Sequence, residues 1–342
     1  MFRGKFLFAT ALALFAVVSA TWPTAIAGEV YAGKTINLTI GYGFGGTYGK
    51  YARLFADHIK RHIPGNPNVI VISKPGAGGL LAVNYAYNVM PADGFNIFMP
   101  TDSLVVAQLL RPKKIKYDAR KFTYLGATNQ TNTIMVVRND SGITSIEDLK
   151  NKPLVIGGTG PGSTSTMLPK ALKNMLGLTK MKVITGYKGS SKTILAVEQG
   201  ELQAASFNWL AWSSKVPHWF KENFARPIVQ LGVWKDPDLP DVPMLSDLVS
   251  AKYKPIIAFM ATHGIIGRGL ATPPGVSGEK IAILKVAVAK MIADPVYIAA
   301  AKKRRLRVIP ATGDEIQKVV NDAFTNADKD VIALARKLIL GK

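Results

Sequence analysis

The chain has no cysteine, only four histidines, and 22 acidic side chains against 43 basic ones in 342 residues. The first absence excludes disulfides, a thiol nucleophile and any thiolate metal site. The histidines add little. His58 and His62 stand four apart on a predicted helix, a spacing that can hold zinc, but Ile59, Lys60 and Arg61 between them supply no glutamate base and two cations. A solvated helix face and no metal are expected there, and His218 and His263 stand alone. No serine lies in a G-x-S-x-G elbow, and no acid–base pair is evident along the chain. Low-complexity tracts and repeats of about 20 to 50 residues are absent too.

The shortage of acid leaves a formal charge of +21, or +19 without Arg3 and Lys5 (21 − 2). In the cytoplasm that balance would suggest nucleic acid. The first residues point elsewhere: Arg3 and Lys5 lead an apolar run from Phe6 to Val18, and Ala25-Ile26-Ala27 is a small-x-small cleavage site. Residues 1–27 are expected to be a secretory signal peptide cut after Ala27, too short for a membrane anchor. With no cysteine behind it, no lipid is attached. The expected compartment is the periplasm, with no nucleic-acid partner, where a basic field draws small anions to a cleft. The densest basic run, Lys302-Lys303-Arg304-Arg305 with Arg307, is expected to be a solvated helix end.

The chain is organised around Gly41-Tyr42-Gly43-Phe44-Gly45-Gly46-Thr47. Before it, Ile36, Leu38 and Ile40 alternate with Asn37 and Thr39 as in a strand; after it, Tyr51, Leu54, Phe55 and Ile59 recur at helical spacing from Tyr48 to about His62. The glycines let the backbone turn tightly and approach a guest. The helix start offers unpaired N–H groups and partial positive charge, an anion site in outline. A dinucleotide is not implied, since no acidic residue follows on a strand end about twenty residues on. Val69–Ile72 reads as a parallel strand covered on both faces, followed by the glycine-rich turn 73–79 and a helix from Leu80 to Val89. A third strand, Phe95–Met99, ends at Pro100-Thr101-Asp102-Ser103. Such units predict a parallel sheet with ligands beyond the carboxyl ends of its strands.

A hinge strand within 122–137 should carry the chain into a second domain of similar plan. There Thr144-Ser145-Ile146-Glu147 reads as a capping box, and Leu154–Gly157 as a strand before the hydroxyl-rich turn 159–164. A helix should begin near Ser165 or Thr166, since Pro169 is tolerated only in a first turn. Val183-Ile184, Ala204–Phe207 and Ile228–Leu231 read as further strands, and Ile256–Ala261 as the second hinge strand. The predicted class is α/β, with two lobes (28–128 plus 238–342, and 129–237), two hinge crossings and a ligand cleft between.

In this order, Gly45-Gly46 with Ala52-Arg53, Lys74-Pro75-Gly76-Ala77-Gly78-Gly79, Pro91-Ala92-Asp93-Gly94-Phe95, Gly160 with Gly162-Ser163, Tyr187-Lys188-Gly189, Gly200 and Val242-Pro243 carry a family likeness. Over nearly all of the mature chain the sequence resembles the Bug-type solute receptors, the periplasmic binding components of tripartite tricarboxylate transporters. The resemblance implies a type II periplasmic-binding-protein fold without catalysis or cofactor. It implies a small organic carboxylate held largely through backbone and water, and a monomer that delivers it to membrane permease subunits. One position departs: the family usually has an aspartate three residues after the second glycine of the first loop, where this chain has Gly49. With no acid to meet an α-amino group, a carboxylate lacking one is expected, with Tyr42, Phe44 and Tyr48 as surfaces on which an aromatic ligand would stack.

The candidate ligand-binding residues are Tyr42, Phe44, Gly45, Gly46, Thr47 and Tyr48 in the first turn, Gly78 in the second, and Thr101, Asp102 and Ser103 after the third strand. From the second lobe come Thr159, Gly160, Gly162, Ser163 and Thr164, then Tyr187, Gly189, Ser190 and Asn208. N–H groups converging on a carboxylate from two lobes would hold the lobes shut. Some of these hydroxyls are expected only to cap helices or satisfy turns. Asp102 would repel an anion unless it takes a water or a ligand hydroxyl, or is structural. Trp209 and Trp212 are expected in the core. Two further readings share the cleft: a ligand-sensing subunit for a membrane signalling receptor, and an exported enzyme, which would show turnover and a perturbed titratable group.

Overall fold

The structure, a computed structural model, describes residues 30–341; the expected signal peptide and its cleavage site lie outside the described residues. Two sheets form. The first takes β1 (Thr35–Ile40), β2 (Asn68–Ser73), β3 (Asn96–Met99), β4 (Thr123–Ala127), β10 (Gly269–Thr272) and β11 (Ala311–Thr312), in the order β11-β4-β10-β3-β1-β2. The second takes β5 (Thr133–Arg138), β6 (Leu154–Gly158), β7 (Met181–Thr185), β8 (Ala204–Asn208) and β9 (Ala225–Leu231), in the order β7-β6-β8-β5-β9. Apart from β11 the two orders correspond position by position. In each, the strand that arrives from the other sheet (β10 or β5) lies between the third and the last and runs antiparallel to both. The other neighbours, β1 with β2 and β3, and β6 with β7 and β8, are parallel.

Apolar alternation along the strands feeds a core on each face. Ile36, Leu38 and Ile97 meet Tyr51, Leu54 and Phe55, while Phe98, Tyr124 and Ala271 meet Leu80, Val83 and Leu104. Under the second sheet, Met135 and Ile156 pack with Leu168 and Leu172, and on its other side Ile134 and Val136 pack with Trp209, Trp212 and Trp219. The tryptophans are thus core residues, as expected.

Several local expectations are corrected. β2 is an edge strand with Ile70 43% exposed, so its apolar run is not covered on both faces. At 144–147 no capping box forms; the Asp148 carboxylate accepts from Thr144 N and Oγ1, both at 2.8 Å, and the segment Glu147–Lys150 is a 3-10 turn. The helix Thr164–Met175 starts before Ser165, which puts Pro169 in its second turn, where its missing N–H leaves the Ser165 carbonyl without its helical partner. Ile256–Ala261 is not a strand but part of the helix Lys254–Ala261, with Pro255 in its first turn. A short apolar run is compatible with either element, and here Ile256, Ile257 and Met260 pack in the core of the second sheet. That segment was expected in the first lobe. The C-terminal helix Lys329–Leu340 also packs there, through Ala335, Leu338 and Ile339 against Thr164–Met175. After the two hinge crossings, the C-terminal helix thus returns to the core under the second sheet.

The face carrying His58 and His62 is packed rather than solvated. His58 lies edge-on to Tyr297 and 2.6 Å from an Arg61 nitrogen, while His62 and Arg61 share the Asp294 carboxylate at 3.1 and 3.0 Å. Nor is the basic run simply a solvated end: Arg304 pairs with Asp57, and Arg307 reaches Asp236 and Asp238, which follow β9 of the other sheet. Among the described residues, no helix is long and apolar enough to cross a membrane.

At the crossing, backbone pairs with backbone. Thr128 N donates to Arg268 O at 3.0 Å, Arg268 N to Asn129 O at 2.9 Å, and Gln130 N to Ile309 O at 2.9 Å. Gly267 makes this possible: its φ is +50°, and a Cβ there would lie 1.9 Å from Asn129 O. Gly267→Ala should therefore destabilise the fold by at least about 2 kcal/mol through backbone strain and the clash. Gly278→Ala, at a helix start with nothing within 4 Å, should be neutral or stabilising by up to about 1 kcal/mol. Urea midpoints of the two variants check the contrast.

Candidate anion-binding cleft

Three helices begin on one small space between the sheets. Thr47–Ile59 follows β1, Thr164–Met175 follows β6 and Ser190–Glu198 follows β7, so each starts beyond the carboxyl end of a parallel strand. None has a side-chain cap, and none has an acidic residue in its first turn. Their N–H groups and positive dipole ends are left for a guest. The space has a volume of about 40 Å³, room for a few waters at about 10–15 Å³ each. Gly46, Thr47 and Tyr48 line it from the first helix, Ser163, Thr164 and Ser165 from the second, and Gly189 and Ser190 from the third. Tyr42, Asp102, Thr159, Phe207, Asn208 and Arg268 complete the wall.

Arg268 is the residue that reasoning from sequence missed. It is 1% exposed, yet its guanidinium reaches Asp102 Oδ2 at 3.3 Å, Thr47 Oγ1 at 3.2 Å and Gly267 O at 2.9 Å, and lies 3.9 Å over the Tyr48 ring. Its Nε has no partner among the described residues. Burial works against the charge, but Tyr48 and Asp102 outweigh it and hold the guanidinium above its ordinary pKa. The pairing also resolves Asp102, whose negative charge is spent on Arg268. The one available signal was Gly267-Arg268-Gly269, a lone cation between two glycines ahead of the apolar Leu270-Ala271.

The aromatic residues do not form the expected stacking surface. Tyr42 and Tyr48 stack on each other at 4.5 Å, and Arg268 covers Tyr48. Tyr42 donates from its hydroxyl to Gly78 O at 2.7 Å, and the Tyr48 oxygen accepts from Asp102 N at 2.9 Å. Burial raises both phenols above their ordinary pKa. Phe44 is 45% exposed and outside the cavity wall. Gly49 is the reason: a Cβ there would lie 2.1 Å from Phe44 O, so the loop folds over the first helical turn and carries Phe44 outward.

Other expected ligand residues hold the lobes together. Cβ atoms on Gly160 and Gly78 would lie 2.2 Å from Gly78 N and 2.6 Å from Ser163 N, so these turns meet backbone to backbone across the cleft. Ser103 Oγ donates to Gly162 O at 2.6 Å and Ser191 Oγ to Gly45 O at 2.6 Å, each from one lobe to the other. Thr101 donates to Gly78 O, and Thr159 and Ser163 spend their hydroxyls within their own turn. Tyr187 bonds Glu201 and borders a neighbouring groove with Gly78 and Gly160. Asn208 uses its Oδ1 to cap the helix Trp209–Ser213, leaving its Nδ2 as the donor.

Behind Ser190 lies Lys215, its Nζ 2.8 Å from both Ser190 Oγ and Ser191 Oγ. Burial, then Lys50 and Arg268, push its amine down to about 7.

Two outcomes follow from these contacts. Arg268→Met should cost about 3–5 kcal/mol, because it leaves Asp102 buried and unpaired, and adding Asp102→Asn should recover much of the loss in chemical denaturation. For Lys215, the unfolded chain keeps the amine protonated to about 10.5 while the folded chain releases the proton near 7. Folding is thus favoured progressively as pH rises from about 7 toward 10, and the penalty of a buried ammonium is complete below that window. The stability of the wild type relative to Lys215→Met should climb over that range; a flat difference would mean the amine is solvated.

Known proteins share this fold. The family described as "Tripartite tricarboxylate transporter family receptor" (TctC) matches residues 51–335. The "UPF0065 protein in gbd 5'region" of Cupriavidus necator is 28% identical over 247 residues, 70% of this chain and 71% of its own. A UPF0065 protein of Bordetella bronchiseptica is 22% identical over 312 residues, 90% and 83% of the two chains. Among solved structures, the periplasmic binding protein BugD aligns with a TM-score of 0.69 at 18% identity, covering 90% of this chain and 98% of its own. R. palustris Rpa4515 with adipate gives 0.69 at 19% (89% and 98%), and MatC from Rhodopseudomonas palustris with bound malate gives 0.67 at 17% (87% and 99%). These likenesses show the fold, that of the two-lobed type II periplasmic binding proteins. With the family match running from Tyr51 to Ala335, the chain belongs to the TctC family of tripartite tricarboxylate transporter receptors.

Proposed function

We propose that this protein is a periplasmic receptor that captures a small organic carboxylate between its lobes and delivers it, as a monomer, to the permease subunits of a tripartite transporter. The observation that carries the proposal is the convergence of three uncapped helix starts and the buried Arg268 on one cavity. A carboxylate accepts from N–H groups of both lobes at once and so favours the closed form over the open one. Asp102 cancels Arg268, which leaves the helix starts and the amide of Asn208 to grip the anion by direct and water-bridged bonds. Ligands of that class are the ones bound to the adipate and malate relatives, and the family is one of solute receptors rather than enzymes. Since backbone and hydroxyl contacts join the lobes across the cavity, entry requires the lobes to part about the paired backbone of 128–130 and 264–268. The lack of acid at Gly49 favours acids without an α-amino group. Export by residues 1–27 belongs to the same proposal.

A thermal-shift panel of mono-, di- and tricarboxylates and amino acids is the direct test. The matching acid at a hundredfold excess over its Kd should stabilise the protein by about 2.7 kcal/mol, and X-ray scattering should show compaction with the same acid alone. Stabilisation by amino acids in preference to plain acids would overturn the reading of Gly49, and no response to any acid would overturn the receptor.

A further inference from the structure

The receptor reading leaves one cluster unused. The Lys215 amine sits at the start of the helix Ser190–Glu198, the end of a helix that disfavours a cation. Lys50, from the first helix of the other lobe, reaches Ser214 O and Oγ at 3.3 Å, one residue away along the chain from Lys215. The charges facing Lys215 are Lys50 and Arg268, and those facing Lys50 are Arg305 and Arg53. The nearest carboxylate on the cleft wall, Asp102, is committed to Arg268. Neither amine forms an ion pair among the described residues, so the cations that the two lobes contribute here have no protein counter-charge. Ser190 connects them to the cleft, because its hydroxyl accepts from Lys215 and the residue lines the cavity.

We propose that Lys215, with Lys50 facing it from the other lobe, forms a charge-reading subsite behind Ser190, and that an anion closing the cleft is held through Ser190 and draws a proton onto the Lys215 amine. The proposal rests on the receptor reading and deepens it. Negative charge arriving beside a desolvated amine favours its ammonium form, and by linkage the ammonium favours the anion equally. As an ammonium, Lys215 has no lone pair and can only donate to Ser190 Oγ, which keeps the serine proton for the guest. Burial, Lys50 and Arg268 push the amine down to about 7, so an anion that restores its charge takes up a proton from the medium. The more negative the guest, the stronger the coupling. Lys215 is a positioning residue, acting on the ligand through Ser190.

Isothermal titration calorimetry tests this with three pairs of acids on shared skeletons: succinate and butyrate, adipate and hexanoate, terephthalate and p-toluate. Each is run at about pH 8 in triethanolamine and in Tris, amine buffers whose ionisation heats differ. For the acid that binds, the wild type should take up a substantial fraction of a proton, and affinity should fall toward about tenfold per pH unit above neutrality. The dianion of a pair should show the larger uptake. Lys215→Arg should keep the affinity and lose the proton uptake. Lys215→Met should lose both, with the dianion weakened more than its monoanion, and Lys50→Met should reduce the uptake while leaving the Lys215 contacts in place. Wild-type uptake matched by Lys215→Met, or binding with no uptake, would overturn the subsite and leave the receptor intact. No binding of any acid would overturn both.

Discussion

Much of this molecule follows from the need to keep one guanidinium charged in a place with little water. Arg268 is almost wholly buried, and its charge survives because Asp102, Thr47 Oγ1, a backbone carbonyl and the face of Tyr48 surround it. The four partners come from three parts of the first lobe: Thr47 and Tyr48 from the helix start after the first glycine turn, Asp102 from the loop after β3, and the Gly267 carbonyl from the hinge. A buried pair of this kind is a poor source of net stability, since desolvation consumes most of the attraction. It is better understood as a specifying contact. With the pair formed, the Tyr48 and Asp102 backbones and the start of the Thr47 helix can take only one arrangement. The same residue is hydrogen-bonded through its backbone to Thr128 and Asn129 in the crossing, so the cleft wall and the hinge share one residue.

Closure has a different basis. The lobes meet through backbone, with Gly78 against Gly160 and Ser163, and through single hydroxyl bonds such as Ser103 to Gly162 and Ser191 to Gly45. Such contacts are individually modest and exchange readily with water. Glycine backbone and serines form the cleft side of this interface, while apolar contact between the lobes is made elsewhere, by Val106 and Leu110 in the core of the second sheet and by Leu210 in that of the first. The Arg307 contact with Asp236 and Asp238 is the ionic exception.

The sequence was most legible where local pattern alone decides the element. The alternation of Ile36, Leu38 and Ile40, the glycine turn behind it and the helical spacing of Tyr51, Leu54 and Phe55 are all found where expected. Eleven of the nineteen expected ligand residues, among them Thr47, Ser190 and Asn208, line the cavity. It was least legible where a long-range partner decides. Ile256–Ala261 satisfies both a strand and a helix pattern, and packing under the second sheet selected the helix. Gly78 and Gly160 meet each other across the cleft, which no spacing within either turn reveals.

By itself the sequence determined the α/β class, the glycine-led helix starts with the N–H groups an anion would need, and the family that those turns resemble. These rest on interactions within a few residues, which composition and period report directly. The tertiary structure alone decided that Arg268 completes the site, that Asp102 is its counter-charge, that Phe44 faces outward and that Lys215 meets Ser190 beside Lys50. Arg268 and Asp102 are separated by 166 positions, and a charge pair across that span exists only once the hinge has brought the two loops together.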